Sequence, residues 1–270
     1  MRNAAFELAL PAGAGGPVVV AVPHAGVCVP DEDRETLLGS ERGRLRDADL
    51  LVDRLFHAAP SAGAALLVGT VSRHVLDLNR APHDIDDDVC AELGRSLSTP
   101  RSLLWRLATD GTKVLARRLS PDEVASRLER VFWPYHDALW ALLDERRRRF
   151  GYAVLLDAHS MPSRPRAGTG PIAESVLSDV FGTTCAARLV DVVEERLCGL
   201  GLEVARNAPY AGGYAVRRYG RPEEGLHALQ LEVRRDLYLD EERLTWDDER
   251  GGALADALGA LLEDLATLAL

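Results

Sequence analysis

The apolar positions fall into short runs bounded by Gly, Pro or polar residues, with longer stretches of helical period between them. Val18 to Val22 (VVVAV) is the cleanest run. Ala65 to Val71, Ala153 to Leu156, Leu202 to Ala205 and Leu229 to Val233 are the others, and each reads as a buried strand. Helical spacing marks Asp47 to Ala59, Cys185 to Cys198 with Gly199 as its stop, and Ala253 to Leu268. Ser120, Pro121 and Glu123 supply an N-cap, a first-turn proline and a capping-box acid for a further helix. It runs, with a break at Pro134, to the basic cluster Arg146 to Arg149, whose charge suits a helix C-terminus. Residues 81 to 112 show no period and predict a loop-rich region near the site. Alternating strands and helices predict an α/β fold, one domain over 1–270, with its sheet buried on both faces. Ligands in such sheets sit beyond the carboxyl ends of the strands.

Composition removes several classes of function. The chain has 270 residues and a formal charge of -10, from 42 acidic against 32 basic residues. That balance argues against nucleic acid as a partner, which calls for a basic face. The four cysteines (Cys28, Cys90, Cys185, Cys198) show no CxxC spacing, which disfavours a thiolate zinc site or a disulfide framework. The leading MRNAAFELALPAGAGG has too short an apolar run for a signal peptide, and no stretch approaches the roughly 18 apolar residues of a membrane span. The expectation is a soluble cytoplasmic protein with no membrane partner.

Three strands lead into residues suited to metal chemistry. VVVAVPHAG places His24 just past a strand, AVLLDAHSMP places Asp157 and His159 after another, and ALQLEVRRDLY places Glu232 in or at the end of a third. One such histidine alone is more often structural. Two with a strand-borne glutamate offer what catalytic zinc takes. TVSRHVLDLNRAP adds Arg73 and Arg80, side chains able to clamp a carboxylate or stabilise an oxyanion, with Asn79 beside Arg80. Some features carry less. HDIDDDV (83–89) begins like a calcium loop but has Val89 at its sixth position and Arg95 at its twelfth. Ser160 lies outside any GxSxG context. Gly212 and Gly213 suit either a turn or close approach to a ligand.

Taken in order, the segments PHAGVCVP (23–30), DADLLVDRLF (47–56), SRHVLDLNRAP (72–82), PYHDAL (134–139), DAHSMPSR (157–164), SDVFGTTCA (178–186), YAGGYAVRRYGRP (210–222) and HALQLEVRRDLY (227–238) make the chain resemble the N-formylglutamate amidohydrolase family from about residue 17 to 245. DLNR and DAHS are also similar to segments of aspartoacylases and, more distantly, zinc carboxypeptidases. The resemblance implies a phosphorylase/hydrolase-like α/β fold with a central mixed β-sheet flanked by helices. It implies a site of one divalent ion, zinc, held by His24, His159 and a carboxylate. Aspartoacylases place a Glu three residues after the first histidine, but Val27 stands there, so the carboxylate comes from DADLLVD. Asp49 is preferred, with Asp47 and Asp53 as alternatives. By the same resemblance Glu232 is the general base, Arg73 polarises the carbonyl, and Asn79, Arg80 and Arg217 bind the substrate carboxylates. The family has His where Arg218 stands, which bears on the acyl acid rather than the reaction. The implied activity is metal-dependent hydrolysis of N-formyl-L-glutamate, a small N-acyl acidic amino acid, to formate and glutamate late in histidine breakdown. The alternative is a carboxypeptidase-like or aspartoacylase-like deacylase of another N-acyl amino acid.

Overall fold

The computed structural model describes residues 5–97, 99–164 and 172–270. In chain order its elements are β1 (Phe6–Ala9), β2 (Val18–Val22), α1 (Glu41–Asp47), α2 (Val52–Leu55), β3 (Ala65–Gly69), α3 (Pro121–Arg127), α4 (Trp133–Phe150), β4 (Ala153–Met161), β5 (Ser175–Ser178), α5 (Ala187–Gly199), β6 (Val204–Arg206), α6 (Tyr214–Tyr219), β7 (Leu226–Arg234), a short β8–β9 hairpin (Leu239–Asp240 with Thr245–Trp246) and α7 (Asp248–Thr267). These segments group into two compact units. One comprises residues 1–7, 23–50 and 68–138, and the other 8–22, 51–67 and 139–270.

The second unit holds the seven-stranded sheet, apart from the ends of β1 and β3, in the order β1-β3-β2-β4-β7-β5-β6. β2, β4 and β7 run parallel, while β5 pairs antiparallel with β7 and parallel with β6, so the sheet is mixed. All nine residues of β4 and eight of nine in β7 are buried, as strands covered on both faces must be. α7 packs on β2, α5 on β5 and β6, and α6 on β7 and β4. The chain is therefore an α/β protein with a mixed central sheet flanked by helices. α7 begins earlier than its apolar period suggests, because the Asp247 carboxylate caps it by accepting the Arg250 amide.

The first unit is mostly irregular. Between β3 and α3 no helix or strand forms among the described residues, as the missing period of 81–112 predicts. The helix expected over Asp47 to Ala59 does not form as one piece. α1 ends at Asp47, Ala48 is extended and Leu51 adopts φ 64°, a left-handed conformation that breaks helical continuity before α2. The helix from Ser120 does form, with its capping box complete, but without the expected break at Pro134. A π turn at Leu128–Phe132 joins α3 to α4 instead, placing the wider backbone just ahead of the residue that has no N–H to donate. β1, β5, α1 and α6 are too short for a period to reveal. Among the described residues no helix is long and apolar enough to cross a membrane.

Candidate active site

In the first unit the site residues sit on loops. The Asp49 amide donates to the His24 carbonyl at 2.9 Å, and Asp49 Oδ2 lies 3.4 Å from His24 Nδ1. Of the three aspartates that sequence left open, this one faces the histidine. Asp47 is taken by other partners: His74 Nε2 at 2.8 Å and both the hydroxyl and amide of Thr109. Burial pushes the Asp47 carboxyl up, but those bonds outweigh it and hold it below its usual range. Asp53 is half-buried on α2 in the second unit. Gly26 is required where it stands, since a Cβ there would lie 2.2 Å from the Thr70 carbonyl carbon.

Asp77 is the hub of this cluster, and the sequence reading assigned it no role. It is fully buried. Its Oδ1 accepts from His24 Nε2 at 2.7 Å and the Asn79 amide at 2.9 Å. Its Oδ2 accepts from Arg73 Nη2 at 2.8 Å, Arg73 Nε at 3.2 Å and Trp105 Nε1 at 3.0 Å. Burial would raise its pKa, yet the charges of Arg73, His24 and Arg80 and the His24 hydrogen bond hold it well below the carboxylate range. Burial likewise works against the Arg73 cation, but Asp77 and Asp49 keep its pKa above the ordinary value. The same guanidinium stacks over Trp105, 4.6 Å from the ring centre. Trp105 lies in the stretch without period and gave no signal. Asn79 is buried, and Arg80 is half-buried with Nε on the Arg101 carbonyl and Nη1 on that of Asn79. Three of the four acids of HDIDDDV pair with arginines: Asp84 with Arg95, Asp86 with Arg106, and Asp88 with Arg106 and Arg118.

In the second unit all the candidate site residues but Arg217 sit on strands. Asp157 and His159 lie within β4 rather than after it, because that strand runs on to Met161. Their partners in register on β7 are Gln230 and Glu232, so period-2 alternation puts all four on one face. His159 Nε2 lies 3.0 Å from Asp157 Oδ2, with Asp157 fully buried. Glu232 Oε1 accepts from Gln230 Nε2 at 2.9 Å, and Gln230 in turn accepts the Gly213 amide at 2.7 Å. Gln230 was missed, although its i, i+2 spacing from Glu232 was visible in LQLEV. Ser160 accepts from Arg235 Nε at 3.1 Å. Arg217 is exposed on α6 with its Nε on the Gly212 carbonyl.

Each candidate histidine thus has Nε2 beside a wholly buried aspartate, which is how proteins orient imidazoles that bind metal through the other nitrogen. The donor chemistry fits a zinc ion.

A mixed α/β sheet with polar side chains gathered near the carboxyl ends of its central strands places the chain among α/β proteins of hydrolase-like architecture. Known structures and sequences narrow this. The crystal structure of N-formylglutamate amidohydrolase from Ralstonia eutropha JMP134 superposes with a TM-score of 0.86 at 36% identity, covering 97% of each chain. Gene product Atu2144 from Agrobacterium tumefaciens shares the fold, with a TM-score of 0.65 at 21% identity. N-formylglutamate deformylase from Pseudomonas putida is 32% identical over 258 residues, 92% of each chain. That from Pseudomonas aeruginosa is 32% identical over 235 residues, 84% of this chain and 83% of the other. The sequence matches the N-formylglutamate amidohydrolase family over residues 16–239, and the chain belongs to that family.

Proposed function

We propose that the chain hydrolyses the formyl amide of N-formyl-L-glutamate, giving formate and glutamate late in histidine breakdown, and that it does so with a bound metal. The Pseudomonas putida and Pseudomonas aeruginosa relatives carry the name of that activity. The observation that carries the reading to this chain is Asp77, one buried carboxylate that holds both His24 and Arg73.

His24, Asp49 and His159 would hold the metal, two imidazoles and a carboxylate of the kind catalytic zinc takes. A zinc ion there would lower the pKa of water and draw charge from the carbonyl. Glu232, oriented by Gln230, takes a proton from the attacking water and returns it to the departing amine nitrogen. Arg73, fixed by Asp77 and Trp105, donates to the oxygen on which charge develops. Asn79 and Arg80 bind the substrate carboxylates, with Arg217 as the helper.

Formate release from N-formyl-L-glutamate by the purified chain tests this, with metal removed by chelator and then restored. Activity lost on removal and regained with zinc is the expected result. No release from the untreated protein would sink the activity, and undiminished release from the stripped protein would sink the metal. Faster turnover of an N-acetyl or longer N-acyl acid would turn the reading to a broader deacylase.

A further inference from the structure

The PYHDAL segment supplied nothing to the site above, yet its histidine is buried and reaches the loop that carries Asp77. His136, on α4 and 5% exposed, places Nε2 2.9 Å from the Leu78 carbonyl oxygen. A carbonyl only accepts, so Nε2 bears the proton and donates it. Nine residues earlier, at the end of α3, Arg127 donates Nη1 to the Val75 carbonyl at 2.9 Å. Residues 72 to 80 form neither helix nor strand, so their buried carbonyls need partners from outside any ladder. The helix supplies two, one on each side of Asp77.

The π turn makes this possible. On an unbroken α-helix two residues nine apart stand about 2.5 turns from each other, on opposite faces. The turn at Leu128–Phe132 absorbs one extra residue, so the separation counts as eight, about 80° around the axis. Both side chains then serve the same loop.

We infer that His136 is a positioning residue: by fixing the Leu78 carbonyl it holds Asp77 against His24 and Arg73, and Asn79 beside it. Its bearing on turnover rests on the function proposed above, while its hold on the loop does not. The test compares His136→Gln, which keeps an N–H donor, with His136→Phe, which keeps the ring packed on Phe132 (centroids 4.2 Å apart) but has no donor. The measurements are amide hydrogen exchange over residues 72–80, zinc affinity by chelator competition, and kcat/KM for N-formyl-L-glutamate. The Phe variant should exchange faster in that segment and lose about 10- to 100-fold in zinc affinity and kcat/KM, as loss of an outer support to a ligand does. The Gln variant should recover most of each. Parental exchange in the Phe variant overturns the inference, and so does a Gln variant as impaired as the Phe. If His136→Phe does not fold, His136→Met takes its place under the same criteria. If the parent fails to release formate, the proposed function falls, while exchange and zinc affinity still decide the role of His136.

Discussion

The two compact units place a histidine in the same way, beside a buried aspartate, but build that pair by opposite means. In the second unit His159 and Asp157 are two residues apart on β4, and register with β7 aligns them with Glu232 and Gln230. Backbone ladders do the positioning, and side chains only trim it. In the first unit His24 and Asp77 are 53 residues apart on irregular segments. There the aspartate is held by Arg73, Trp105 and the Asn79 amide, and its loop by His136 and Arg127. A strand-borne residue should therefore be separable from its scaffold, and a loop-borne hub should not.

Glu232→Gln is the largest expected effect and the cleanest test of the strand half. It keeps the bond to Gln230 while removing proton acceptance, so kcat should fall by about 10²- to 10⁴-fold. Melting temperature and zinc content should stay parental, and a shift in either would mean the strand half is no more separable than the loop half. Arg80→Lys comes next. A point charge cannot reproduce the guanidinium fork, and kcat/KM should drop by roughly 10- to 150-fold, nearly as much as in Arg80→Ala. Equal turnover of N-formylglutamine and N-formylglutamate by the parent would remove the acidic substrate from the reading.

Asp77→Asn tests the hub. It takes from the half-buried Arg73 cation its hydrogen-bonded anion, and zinc affinity should weaken by about 10- to 100-fold with a fall in melting temperature. Both losses together distinguish it from the Glu232 variant, and retention of either would break the contrast. The smallest effect concerns the cap of the helix that braces the loop half. Arg117 and the Ser120 amide lower the Glu123 carboxyl to about 2 from 4.5. Its contribution to stability is complete above about pH 4.5 and is lost as the pH falls toward 2. An acid unfolding series should show that slope reduced in Glu123→Gln, and Ser120→Ala should cost about 1 kcal/mol at neutral pH.

Sequence by itself determined the parts in which chemistry and backbone share one short segment. VVVAV and AVLL show buried strands directly as continuous apolar runs, LQLEV alternates, and the capping box at Ser120 starts its helix as read, whereas the extension of β4 through Asp157 and His159 to Met161 was not visible. The buried α/β sheet follows from these runs, whereas its mixed strand directions were legible only through the family resemblance, because β5 is too short to show a period. Tertiary structure alone decided the rest. That Asp49 and not Asp47 faces His24 depends on Thr109 and His74 occupying Asp47, contacts 62 and 27 residues away in the chain. The role of Asp77 depends on Trp105 and Arg73, and that of His136 on a π turn placing it beside the loop Arg127 also holds. The physical reason is common to all of these. A ladder repeats with a period that a sequence displays, whereas a buried charge on a loop is satisfied by whichever donors the fold brings to it.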